Sequence, residues 1–222
     1  MDVTEKLIQR VQKTQHGFTD IKRAADEVVI SNATQDSLRM AKRLFASEIH
    51  QARMLATFIL GRLAAQSDES LNFLRSLVSK DDDWRVQEIL AQASDNYCAA
   101  IGYERALPVI EDWLADPTPN VRRAVTEGLR IWTSKPYFRD HPGTAVKLLS
   151  QLRDDDSEYV RKSVGNALRD ISRKHKALVK AELQKWDISS KRIEQTYKLA
   201  GKLLSGSATP SARNSVSSGG CP

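Results

Sequence analysis

The chain has 222 residues, 41% of them apolar, with a formal net charge of +6 and a pI near 9.3. That apolar share supports a packed core and excludes wholesale disorder. No run of 18 apolar residues exists to span a membrane, and the basic balance points to a polyanion as partner. Two cysteines, Cys98 and Cys221, have no metal-like spacing, so neither a disulfide framework nor a metal or other cofactor is expected. Cys98 is expected to be a buried small hydrophobe and Cys221 a free thiol. The N-terminus is charged from Asp2 onward and lacks the apolar core of a signal peptide. A monomer in the cytoplasm is expected, nucleoid-associated in a bacterium.

In chain order, residues 3–32 read as two short helices, Val3–Gln15 and Phe18–Ser31, parted by Gly17. Segment 1–33 is the least repeat-like and is expected to be an N-terminal helical cap. A helix through Ser47, capped at Thr34 or Asp36, leads to a partner over Glu48–Gln66 with an i, i+3, i+4 apolar stripe. Leu71–Val78 follows, and then Trp84–Ala100, capped by Asp83 and stopped by Gly102. Tyr103–Ala115 contains Pro108, which is expected to kink it. Beyond Asp116-Pro-Thr-Pro119 come Asn120–Thr133, a long connection over 134–142, then Thr144–Leu152, Glu158–Lys174, Ala177–Trp186 and Lys191–Leu204. Residues 205–222 are rich in Ser and Gly and are expected to be disordered.

Four of these helices carry one pattern. Aligning Ala52, Val86, Val121 and Val160 gives steps of 34, 35 and 39 residues. Self-similarity at about 34 to 47 residues with helical signals in each unit marks a stacked helix-pair array. The expected fold is therefore all-α: a curved solenoid of HEAT-like helix pairs over residues 34–204.

In such an array the second helix of each pair lines the concave side. Arg122-Arg123 and Arg161-Lys162 then stand near helix N-termini, placed either to hold backbone phosphates or to pair with the acidic turns Asp116 and Asp154–Asp156 of neighbouring repeats. Gln92, Glu127 and Asn166 align at one position of three successive helices, with Arg130 and Asp170 close beyond. Such a column is either a hydrogen-bonded ladder between repeats or a set of groove contacts. Trp84 and Trp132, at the ends of groove helices, are candidates for stacking on sugar or base, with core packing as the alternative. No catalytic Ser/His/Asp array, P-loop or histidine cluster is present.

The run from Val121-Arg-Arg to Glu127-Gly-Leu-Arg130, followed by Asp155 to His175, resembles the DNA alkylation repair family of HEAT-repeat DNA glycosylases, and more closely its AlkC branch. The resemblance spans roughly residues 45 to 185. It implies a solenoid that clasps duplex DNA, preferably alkylated, and excises cationic N3- or N7-alkylated purines without base flipping. Glu127 and Asp170 match acidic positions of the family's motifs. Gln92 stands where a further acid is expected, and Glu88, one turn back, is its candidate substitute; Trp84 and Glu88 also echo the Trp/Asp pairing of the AlkD branch. The catalytic candidates are thus Glu127, Asp170 and Glu88, with Arg122, Arg123, Arg130, Arg161, Lys162, Asn166 and Gln92 on DNA. A DNA-binding solenoid without catalysis and a protein-interaction scaffold are the alternatives.

Overall fold

The computed structural model describes residues 2–204, so the expectations for the Ser/Gly tail and Cys221 lie outside the described residues. Thirteen α-helices and no strand occur among the described residues. They are α1 (Val3–Val11), α2 (Thr19–Ser31), α3 (Thr34–Phe45), α4 (His50–Leu63), α5 (Asp68–Ser76), α6 (Trp84–Ile101) and α7 (Leu107–Leu114). Then follow α8 (Pro119–Gly128), α9 (Pro136–Asp140), α10 (Pro142–Ser150), α11 (Glu158–Ser172), α12 (Lys176–Leu183) and α13 (Lys191–Gly201).

The helices form two layers. Helices α2, α4, α6, α8, α11 and α13 pack successively on one another, and α3, α5, α7, α10 and α12 lie against them on the outer side. This is the α-solenoid expected from the repeat. The core runs along the seam between layers, from Leu38, Leu55 and Ile59 through Ile89, Val121 and Val125 to Val160, Leu168 and Ile171. The aligned positions Ala52, Val86, Val121 and Val160 are all fully buried, which is why the sequence repeats there.

Stops and starts follow local chemistry. The Asp83 side chain accepts from the Arg85 N–H at 2.9 Å and caps α6, while Gly102, at φ +91°, ends it in a conformation side chains disfavour. Pro108 does not kink a helix over Tyr103–Ala115. That segment opens in turns, and Pro108 stands in the first turn of the shorter α7, where its missing N–H costs nothing. Helix α8 stops at Gly128, earlier than the expected Thr133, and packs so closely on α6 that a Cβ on Gly128 would lie 2.2 Å from the Ala91 carbonyl oxygen.

The connection beyond α8 carries its own core. Ile131 adopts left-handed φ/ψ of 58° and 51°, strained for a β-branched residue, and this reversal drops Trp132 into the interior. Trp132 packs on Phe138 at 4.8 Å, and Phe138 also meets Tyr137 and Tyr103. This aromatic cluster accounts for the extra helix α9 inside what the sequence shows only as a long linker.

Candidate functional site

Two successive residues on a helix point about 100° apart, and this separates the basic pairs of the repeat. The first member is scaffold. Arg122 donates to Asp155 of the following repeat at 2.6 and 2.8 Å and to the Asp116 and Pro117 carbonyls at 2.7 and 3.0 Å. Arg53 treats Asp81 and the Ser47 and Glu48 carbonyls the same way. Arg161 donates to Gln195 and to the Asp155 and Asp156 carbonyls. Gln87, in the same column, reaches the Val78 and Asp81 carbonyls. Arg122 and Arg161 are therefore not free to hold phosphate: their donors are consumed between repeats, and Arg161 is buried.

The second member turns elsewhere. Arg123 donates to Glu88 on α6, one repeat back. Glu88 lies one turn beyond Trp84, the first residue of α6, whose side chain is 69% exposed. The Arg85 guanidinium stands 5.8 Å over the Trp84 ring and is held there by a double hydrogen bond to Asp83. That bond keeps the Asp83 carboxyl well below its ordinary value, at about 2. Trp84, Glu88 and Arg123 thus meet at one place. Lys162, the next in this column, is exposed and paired with Glu158 at 2.7 Å.

Beyond Glu88, a hollow of about 320 Å³ between α6 and α8 is lined by Gln92, Asp95, Asn96, Glu127 and Arg130. Arg130 lies 3.9 Å from Glu127 and 3.7 Å from Asp170. Asp170 is only 10% exposed and is also approached by Arg169 at 3.4 Å and Arg173 at 3.6 Å, so three guanidinium groups neutralise it. The Gln92, Glu127 and Asn166 column is no ladder: the Gln92 and Asn166 side chains make no hydrogen bond among the described residues, which leaves their capacity open.

Trp132 is corrected outright. It is 0% exposed inside the aromatic cluster and offers no face to a ligand. Sequence reasoning missed Lys135, which donates to Asp95 at 2.6 Å while Tyr103 donates to the same carboxylate at 2.9 Å. Burial, then the Asp95 bond, push the Tyr103 hydroxyl pKa up. Lys135 belongs to the connection, outside the repeat, and no periodic signal could find it. The Glu88–Arg123 pair did have a signal, a separation of 35 residues that equals the local repeat step. Cys98 is buried as expected, its thiol pushed up to about 12 by desolvation. No helix among the described residues is long and apolar enough to cross a membrane.

Residues 15–206 match the family model described as DNA alkylation repair enzyme. The structure of AlkD2 from Streptococcus mutans is similar to this chain at 47% identity and a TM-score of 0.87, covering 90% of this chain and 96% of that one. The smu.31 structure from Streptococcus mutans UA159 shares 45% identity at a TM-score of 0.85, covering 90% and 98%. An alkylpurine DNA glycosylase AlkC from Pseudomonas fluorescens, bound to DNA containing an abasic site analogue, shares 20% identity at a TM-score of 0.51, over 92% of this chain and 65% of that one, a likeness of fold alone. The expected leaning to the AlkC branch gains no support from these likenesses. The YhaZ protein of Bacillus subtilis is 34% identical over 87 residues, 37% of this chain, which spans 24% of that curated relative's length.

Proposed function

The chain belongs to the DNA alkylation repair enzyme family, and we propose that it hydrolyses the N-glycosyl bond of cationic N3- or N7-alkylated purines in duplex DNA held along its inner face. The observation that carries this reading is the meeting of Trp84, Glu88 and Arg123 at the surface of adjacent inner helices. An alkylated purine leaves as a neutral base once the C1′–N bond electrons move onto its ring, so no acid is needed to protonate it. The deoxyribose is left with oxocarbenium-like charge. The Glu88 carboxylate stabilises that charge and takes the proton of the water that attacks C1′. Arg123 fixes the carboxylate and presents its remaining donors to a phosphate, while the exposed Trp84 ring covers the sugar. Glu127, with its single long contact to Arg130, borders the adjoining hollow and serves as a further anion near the strand. Asp170 holds Arg130 in place rather than meeting substrate, since three arginines enclose it. Release of methylated purine from methylated duplex DNA, compared with the Glu88→Gln variant, tests the reading.

A second reading has its own support. Arg123, Arg130 and Lys162 each face a carboxylate already, and Gln92 is neutral where an acid is expected from the family resemblance. A site so internally balanced grips phosphate weakly, which favours a DNA-binding relative that does not cut. Duplex binding without purine release selects it.

A further inference from the structure

The excess positive charge of the chain sits at one end. Residues 173–204 hold nine Lys and Arg against three Asp and Glu, whereas residues 1–172 hold 24 against 25. Along the inner layer the cations are answered: Arg123 by Glu88, Lys162 by Glu158, and Arg130 by Glu127 and Asp170. In the last helix pair most are not. Lys174, Lys176, Lys180, Lys191 and Lys202 are exposed, and their side chains make no hydrogen bond or ion pair among the described residues. The three acids of this stretch are engaged elsewhere: Glu182 with Lys185 at 2.9 Å, Glu194 with Lys198 at 2.6 Å, and Asp187 with the Ser189 N–H at 3.0 Å. Lys176 and Lys180 stand one turn apart on α12, and Lys198 and Lys202 one turn apart on α13. Between the two helices runs an open groove of about 430 Å³, lined chiefly by Lys180, Leu183, Gln184, Tyr197 and Lys198.

We propose that the α12–α13 end is a second contact surface, outside the inner groove, that takes the phosphate backbone of duplex DNA without regard to sequence or lesion; the inference rests on the duplex part of the proposed function and not on catalysis. Like charges one turn apart on a helix repel, and the entry of an anion removes that repulsion. The groove lining contains no carboxylate, and residues 205–222 hold no Asp or Glu, so no acidic side chain there supplies the counter-charge. Neutral donors are present as well: the Tyr197 hydroxyl and the Gln184 amide make no hydrogen bond among the described residues and are free to donate to phosphate oxygens. Lysines are flexible point charges without the fork that reads a base edge, which suits a backbone contact. The surface also continues the inner layer. Helix α13 is the last inner helix and packs on α11. Three helix spacings separate it from α6, about 24 to 30 Å in all. A duplex seated at Trp84, Glu88 and Arg123 covers that distance in roughly seven to nine base pairs. The internally balanced inner face then sets position, and the terminal pair supplies the long-range attraction.

Fluorescence anisotropy of an unmodified duplex two helical turns long, titrated with the full chain across a salt series, tests this. The double variant Lys180→Glu with Lys202→Glu is expected to bind about tenfold more weakly at low salt. Its slope of log affinity against log salt falls by about two, one for each lost phosphate contact. Lys6→Glu with Lys22→Glu makes the same change of net charge on exposed lysines of α1 and α2 and is expected to move the slope little. Circular dichroism confirms that both variants keep their helices. A duplex carrying one methylated purine is expected to lose the same factor as the unmodified one. Equal losses in both variants reduce the effect to net charge, and no loss in the first leaves the surface without a duplex; either result overturns the proposal. Binding of the parent chain to phosphatidylserine vesicles, lost in the first variant while duplex binding is unchanged, assigns a membrane and overturns it too. A parent chain that binds no duplex overturns this surface and the proposed function together. Salt-dependent binding that falls in the first variant, with no purine release by the parent chain, overturns catalysis alone.

Discussion

Arg123 and Glu88 join helices α8 and α6 across one repeat step, the arginine donating to a carboxylate that borders the hollow between them. The pair makes each partner's role depend on the other. Removing the carboxylate by Glu88→Gln is expected to lower methylpurine release by about 10²- to 10³-fold, the usual scale for a preorganised electrostatic group. Duplex binding survives it, because Arg123 is released to the phosphates. Single-turnover release from methylated DNA, with binding measured in parallel, checks both halves.

Arg122 and Arg123 are neighbours with opposite assignments. Arg122→Ala strips a largely buried Asp155 of its bidentate partner and opens the Asp116 and Pro117 carbonyls. It is expected to cost about 3 to 5 kcal/mol of stability and to leave the salt dependence of DNA binding unchanged. Arg123→Ala is expected to spare stability and reduce the slope of log affinity against log salt by about one. Denaturation curves and salt titrations of the two variants discriminate them; an inverted pattern refutes the division.

Trp132 and Trp84 divide in the same manner. Trp132→Ala is expected to cost about 3 to 5 kcal/mol, as large core truncations do, by hollowing the cluster with Phe138. Trp84→Ala is expected to leave the melting temperature nearly unchanged and to reduce purine release.

Gly128 tests the packing of the inner column. In Gly128→Ala the new methyl meets the Ala91 carbonyl oxygen at 2.2 Å, a backbone atom that cannot swing aside. The α6–α8 approach must widen, with a loss of about 1 to 3 kcal/mol and a parallel loss of function through the displaced Glu88–Arg123 pair. Ala91→Gly does not rescue it, since the clash is with main chain. A thermal melt of the double variant decides this.

The cap of α6 sets an acid response. The Asp83 carboxyl, held by Arg85, titrates at about 2 in the folded chain against an ordinary 3.8. A depressed folded value means the contribution is complete above the ordinary value and is lost as pH falls from there toward about 2. Denaturation midpoints measured down this range are expected to fall less for Asp83→Asn than for the parent chain. Parallel loss in both assigns the acid response to other carboxylates.

The sequence showed the layer that repeats and little of what lies between repeats. Val86, Val121 and Val160 recur because each fills the same buried seam, so their spacing was enough to find the solenoid and the helices that carry the candidate site. Glu88, Arg123 and Trp84 were all visible as candidates. Of their meeting only the 35-residue step between Glu88 and Arg123 left a trace, and the sequestration of Asp170 by Arg130, Arg169 and Arg173 left none.

What the sequence determined by itself is periodic: helix pairing, the capped start of α6 at Asp83, and the family. Each depends on local chemistry repeated at fixed steps. The tertiary structure alone decided which of two adjacent arginines is scaffold, that Trp132 is core, and that the α1–α2 connection closes a cleft against Trp84. Those outcomes hinge on a 100° turn between neighbouring side chains and on contacts between residues tens of positions apart. No one-dimensional pattern records either.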